Sequence, residues 1–191
     1  PMVVLGDTLL WFGWFGFNAG SALGANVLAA NAFICSQAAA AAATVSWVLI
    51  EWFINGKPTV LGAASGCIAG LVAITPAAGF VAPLPALYIG AISGIICIHG
   101  IGGTWGSIAT GLWATVEVNP DGANGLFYGD AHLLMAQIIS TVVAYALAII
   151  GSIILYKIIS LFTNFRVDAD EEVVGLDINE HGERGYTQQT L

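Results

Sequence analysis

An all-α, polytopic transmembrane helix bundle is the fold class this sequence predicts, and three observations carry the prediction. Of 191 residues, 58% are hydrophobic and only 8% are charged. A water-soluble domain carries about 25% charged residues, far more than this chain could spread over a solvated surface. Mean hydropathy is +0.86. Long stretches lack charge altogether, notably residues 8–50 and 79–116. A spanning helix needs about 20 apolar residues to cross roughly 30 Å of hydrocarbon.

The elements follow in order. Residues 8–50 are too long for one crossing and suit two, with a break in AGSALGAN (19–26), where Gly and Asn cluster. Helices are expected at 2–20 and 28–53, followed by a turn at NGKP (55–58). A third span covers 59–75 and ends at TPAAG (75–79). As one straight helix, the run 79–116 would extend about 57 Å, nearly twice the hydrocarbon thickness. It must fold back, and HGIGG (99–103) is the expected turn. The last span is 131–162, bringing the crossings to six. This count puts Lys57, Lys157, Arg166 and Arg184 on one side, as the positive-inside rule requires, with Glu117, Asp121 and Asp130 opposite. Small residues at four-residue spacing (Gly62, Gly66 and Gly70; Gly102 and Gly106, with Gly103, Ser107 and Gly111 beside them) permit close backbone approach in lipid.

Charge divides the chain into domains. Residues 1–165 hold five acids and two bases; residues 166–191 hold seven acids and two bases. The first is expected to be the membrane domain and the second an acidic, soluble tail. No basic cluster supports nucleic-acid binding. No basic-headed signal peptide opens the chain, which begins at Pro1 as though in the middle of something larger. Cys35, Cys67 and Cys97 lie in separate apolar segments and read as small buried hydrophobes. HExxH, a Walker motif and a nucleophile elbow are all missing, so neither an enzyme nor a bound cofactor or metal is expected.

An ionisable residue inside a span is a functional candidate by default, and His99 in CIHGIGGTWGS (97–107) is the outstanding one. A desolvated imidazole stays neutral, donating from one nitrogen and accepting at the other, as needed to pass a small polar solute along a dry passage. In LWFGWFGFNAGSA (10–22), Trp14 and Phe17 share a helical face and Ser21 follows one turn later. That group reads equally as a cation-binding vestibule or an aromatic anchor; the headgroup-level belt suits Trp47, Trp52 and Phe53 better. His132 is expected at a solvated interface and His181 in the exposed tail.

Four motifs in order, LLWFGWFGFNAGSALGAN, GKPTVLGAASGCIAGLVAITPAAGFV, IHGIGGTWGSIATG and GLDINEHGERGY, resemble the second half of ammonium transporters of the Amt/Mep/Rh family, on its Amt branch. The resemblance implies a homotrimer in the cell membrane with a narrow hydrophobic pore through each protomer. It implies that His99 is one of a pair of pore histidines, that Phe17 is a gate, that Ser21 belongs to the outer ammonium-recruitment site and that Trp14 lies close to the path. It places the C-terminal tail in the cytoplasm, where PII-type signalling proteins dock on many members. Two departures stand out: members have about eleven spans, and their charged cytoplasmic loop before the pore histidine is missing here, where IGAISGIIC (89–97) runs straight into IHGIGG. An ammonium sensor, signalling through the tail, is the alternative function; a purely structural membrane subunit would leave the His99 and FNAGS matches as coincidence.

Overall fold

The computed structural model describes residues 1–96, 99–164 and 166–183, apart from the His99 side chain. The chain is helical, and the expected six long helices are present: α1 (Met2–Gly20), α2 (Val27–Asn55), α3 (Val60–Ile74), α4 (Pro83–Ile96), α5 (His99–Trp113) and α6 (His132–Ile159). Two short helices, α7 (Ala169–Val174) and α8 (Leu176–His181), follow. By length and apolarity alone, α2 and α6 are long enough to cross a membrane. The shorter α3, α4 and α5 rise only about 21–23 Å each. Residues 1–143 form one compact unit and 144–191 another, the division falling within α6.

The helix ends are set by local chemistry. Asn26 opens α2, its side-chain oxygen accepting from Ala29 N at 2.9 Å. Gly56 closes α2 in the left-handed region at φ 74°, which a residue without Cβ adopts freely. Thr59 opens α3 by accepting from Gly62 N. The Glu51 carboxylate reaches across from α2 to accept from Thr59 N at 2.9 Å and Thr59 Oγ1 at 2.8 Å, so the NGKP turn is closed by side chains as well as by its glycine.

HGIGG is not a turn. Residues 99–103 form the first part of α5. Cys97 lies outside the described residues. Glycine is a poor helix former in water, but a helix in lipid keeps its backbone bonds paired, and small residues there serve packing instead. Gly102 is buried, whereas Gly103 faces open space.

In the first unit α2 is the central element, packed against α1, α3 and α4. Its Ala39 is gripped from two sides. A Cβ at Gly70 on α3 would sit 2.5 Å from the Ala39 carbonyl oxygen, and one at Gly90 on α4 would run into the same residue's backbone. Gly66 meets Ala43 and Trp47 in the same manner, and Gly106 on α5 meets Ala73. Side-chain hydrogen bonds cross four other contacts: Asn18 Nδ2 to Ser36 Oγ (2.9 Å), Trp14 Nε1 to Thr75 Oγ1 (2.8 Å), Ser93 Oγ to Ala69 O (2.8 Å) and Trp105 Nε1 to Ile89 O (3.1 Å). The core they enclose is dominated by small residues, including Ala32, Cys35, Ala39, Ala73 and Ala77.

The connection 75–82 is irregular but buried: Ala77, Ala78 and Val81 are 0–2% exposed. Its own turns bond Ala77 N and Ala78 N to Ile74 O, and Phe80 N and Val81 N to Ala77 O. α2 adds Asn31, donating from Nδ2 to Ala78 O (3.1 Å) and Val81 O (2.9 Å), and the Cys35 thiol, donating to Val81 O (3.4 Å). After α5, Thr115 N bonds to Phe80 O at 2.9 Å, tying the 114–131 loop to this connection. Trp113 and Phe127 pack at 5.2 Å between centroids, and Asp130 Oδ1 accepts from His132 N at the start of α6. His132 is exposed, as is His181.

In the second unit Arg166 pairs with Glu172 on α7 (Nε to Oε1, 2.8 Å) in solvent. The guanidinium holds the Glu172 carboxyl below the usual carboxylate range. The depressed value means the pairing contributes at pH above the ordinary carboxylate value and is lost as pH falls through the depressed one. Acidification should therefore speed amide hydrogen exchange over 169–174 beyond the intrinsic rate, and Glu172→Gln should abolish that extra pH dependence. Substitution of Gly90 by Ala should lower stability by about 1–3 kcal/mol, because the neighbour it meets is backbone and cannot rotate away; thermal unfolding in detergent measures it.

Candidate functional site

Three of the four residues singled out in the sequence come together. Trp14 and Phe17 meet edge to face at 5.9 Å between centroids and 65°. Phe17 and Ser21 line a recess of about 330 Å³, shared with Asn18 of α1, Leu28 and Ala32 of α2, Thr75, Gly79 and Phe80 of the connection, and Asn119 of the loop after α5. Trp14 does not line this recess; it stands behind Phe17 and, with Phe17, Leu9, Leu10 and Gly13, borders a second, apolar groove of about 420 Å³. Phe17 is 63% exposed and lies between the two. The side chain of His99, the fourth residue, lies outside the described residues; its backbone is the first of α5.

Each side chain in the recess is positioned by its element. Ser21 caps α1 and donates from Oγ to Phe17 O at 2.7 Å, which leaves its oxygen lone pairs to accept. Trp14 is held by Thr75, whose own hydroxyl donates to Leu71 O at 2.7 Å. Thr75 thereby accepts one bond and donates another, fixing the indole and with it the surface on which Phe17 rests. Asn18 is turned away from the groove toward Ser36, which donates in turn to Ala32 O. The wall opposite α1 exists because Asn31 holds the 75–82 connection in place.

Chemically, the recess offers a hydroxyl acceptor and aromatic rings at its edge, and no formal charge stands among its lining residues. Such a set suits a small cation or a small neutral donor. An aromatic face attracts a cation by about 0.5–2 kcal/mol, more when desolvated. Asn31, Thr75 and Asn119 were not singled out in the sequence. Thr75 was legible only as the end of a helix, and Asn31 sits in an alanine-rich stretch whose periodicity says nothing of a hydrogen-bond partner 50 residues away.

A polytopic membrane helix bundle with an uncharged, polar-edged recess at the end of one helix belongs among membrane transport folds rather than soluble binding domains. Comparison with known proteins narrows the class. The model of the Ammonium Transporter Family matches residues 1–98 and 94–186, the pieces meeting at 94–98, where the omission before His99 is expected. The ammonium transporter of Bacillus subtilis is 51% identical over 203 residues, covering 95% of this chain and 50% of that protein. Among solved structures, Saccharomyces cerevisiae Mep2 superposes with TM-score 0.72 at 36% identity, covering 75% of this chain and 40% of that one. A sensor Amt protein superposes at 0.82 with 28% identity, covering 93% and 48%. The chain belongs to the ammonium transporter family. It spans about half the length of the curated relatives it matches.

Thr75→Val should leave the Trp14 indole N–H unpaired at a cost of about 1–3 kcal/mol, while Thr75→Ser should restore most of it. Thermal unfolding monitored by tryptophan fluorescence distinguishes the two.

Proposed function

We propose that this chain is part of an ammonium transporter of the cell membrane, in which ammonium is recruited at Ser21, loses its proton at or before Phe17 and passes as ammonia by His99. The observation that carries the reading is the meeting of Phe17 and Ser21 in one uncharged recess held behind by Trp14, in a chain of this family. Residues 1–165 are the membrane domain, and 166–191 are a cytoplasmic tail to which a PII-type signalling protein docks. The working assembly is a homotrimer.

Energetics dictate the order of steps. Bringing an ammonium-sized ion from water into a medium of hydrocarbon-like dielectric has an idealised cost of order 20 kcal/mol, and several kcal/mol even after relaxation. Aromatic contact offsets about 2 kcal/mol of that. A hydroxyl acceptor adds only a few more, since hydrogen bonds to charged groups contribute about 1.5–3 kcal/mol each. The cation can be attracted to such a recess but not carried through a dry passage; ammonia can. Phe17, standing between recess and groove, is suited to be the constriction at which that distinction is enforced. A neutral His99 imidazole, able both to donate and to accept, then offers ammonia a polar contact without a charge.

In proteoliposomes containing the complete transporter, His99→Ala should cut ammonium-driven flux at least tenfold or open it to other cations. Ser21→Ala should raise the half-saturating ammonium concentration severalfold with less effect on maximal flux. Unchanged, selective flux in His99→Ala overturns its role. Ammonium binding without any flux in the unaltered protein would favour the sensor reading, in which the same recess binds and the tail signals.

A further inference from the structure

A row of hydrogen-bonding side chains runs along α1 to its cap: Asp7, Trp11, Trp14, Asn18 and Ser21. Their spacing of four, three, four and three residues places them on one face. The three toward Ser21 have partners in Thr75, Ser36 and Phe17 O. Among the described residues, the two at the other end each hold an atom that has none. Asp7 Oδ1 and Trp11 Nε1 are enclosed atoms without a hydrogen-bond partner.

The two orphans are complementary. An indole N–H only donates, and an ionised carboxylate only accepts. They lie one helical turn apart on α1, and Trp11 packs against the cluster of Cys67, Leu71 and Ala40. Beside Asp7 opens a pocket of about 270 Å³, lined also by Gly6, Leu10, Ala64, Ser65 and Ile68. Trp11 does not line this pocket; space of that size beside an unpaired acceptor, with an unpaired donor one turn further along the helix, is room for an ordered water. The other titratable group facing Asp7 is Cys67 on α3; Glu51, the charged residue of α2, is bound to Thr59. Among the described residues no cation pairs with Asp7. A carboxyl in a spanning helix is costly and marks ion or proton pathways by default.

We propose that Asp7 is a proton-holding carboxyl of this transport domain, served by water that the Trp11 indole orients. It rests on the ammonium-transport reading and deepens it, giving the proton left at the recess a place to go. Fourteen residues of α1 separate Ser21 from Asp7, about 21 Å along the axis. The N–H bond of ammonium breaks near Ser21 and frees ammonia. Water carries the proton, an O–H bond forms on the Asp7 carboxylate, and that bond breaks when the proton passes to water on the far side. Nothing is oxidised or reduced.

The test uses the complete transporter in proteoliposomes, reading charge displacement on a solid-supported membrane and ammonia entry with an internal pH dye. Asp7→Asn, nearly the same shape, should lower the charge displaced by an ammonium pulse at least tenfold while ammonia entry stays within twofold of the unaltered protein. Asp7→Glu should restore the charge signal, and Trp11→Phe should slow it without changing its pH midpoint. Infrared difference spectra of the unaltered protein should show a carboxyl band titrating with pH, absent in Asp7→Asn and displaced in Asp7→Glu; this reading does not depend on transport. Full charge displacement in Asp7→Asn, or no such band in the unaltered protein, overturns the proposal and leaves the transport reading standing. Unaltered protein that moves neither charge nor ammonia, yet binds ammonium, overturns the transport reading first and this one with it.

Discussion

Inside a bilayer, every backbone N–H and C=O must find its partner within the protein, because neither lipid nor water will supply one. Helices meet this condition by themselves. The segment 75–82 does not, and the recess exists because the condition is met there by other means: four short-range backbone bonds and the amide of Asn31, which spans two carbonyls. Remove that amide, and Ala78 O loses its side-chain donor while Val81 O keeps only the weak thiol donor of Cys35 at 3.4 Å. The wall formed by Thr75, Gly79 and Phe80 is thus an outcome of backbone satisfaction, and Trp14, anchored to Thr75, inherits its position from it.

A second constraint acts on volume. With lipid on the outside, apolar side chains gain little by facing inward, so close van der Waals contact has to hold the helices together. This protein achieves contact by removing side chains. Gly66, Gly70, Gly90 and Gly106 bring neighbouring backbones against one another, and the buried residues between them are mostly alanines. The glycines of α1 differ: Gly6, Gly13, Gly16 and Gly20 have nothing near them within this chain. α1 is held instead by polar and aromatic contacts, through Asn18, Trp14 and Trp11.

Much of this architecture was legible in the sequence. Missing charge marked the spans, and the breaks near 19–26 and 55–58 fell where Gly and Asn cluster. Phe17 and Ser21 of the recess, and Trp14 behind them, stood out as aromatic and hydroxyl groups around the small residues of FNAGSA. HGIGG misled, because glycine-rich sequence means a turn in water but a packing face in lipid. Asn31 and Thr75 escaped because their roles depend on partners distant in sequence, which no periodicity reports. Asp7 was readable by the rule that drew attention to His99, an ionisable group within a predicted span, but it was not singled out.

The grip on Ala39 has a mechanical meaning. With glycines of two different helices pressed on one peptide unit, α2 can neither slide along its axis nor roll without driving backbone into backbone. α2, α3 and α4 behave as a stiff slab, and the lining that α2 contributes to the recess, Leu28 and Ala32, is set like masonry. On the reading proposed above, opening beside Phe17 would need only the rotation of an exposed ring about its own χ angles, a movement of nanoseconds that no rearrangement of helices has to accompany.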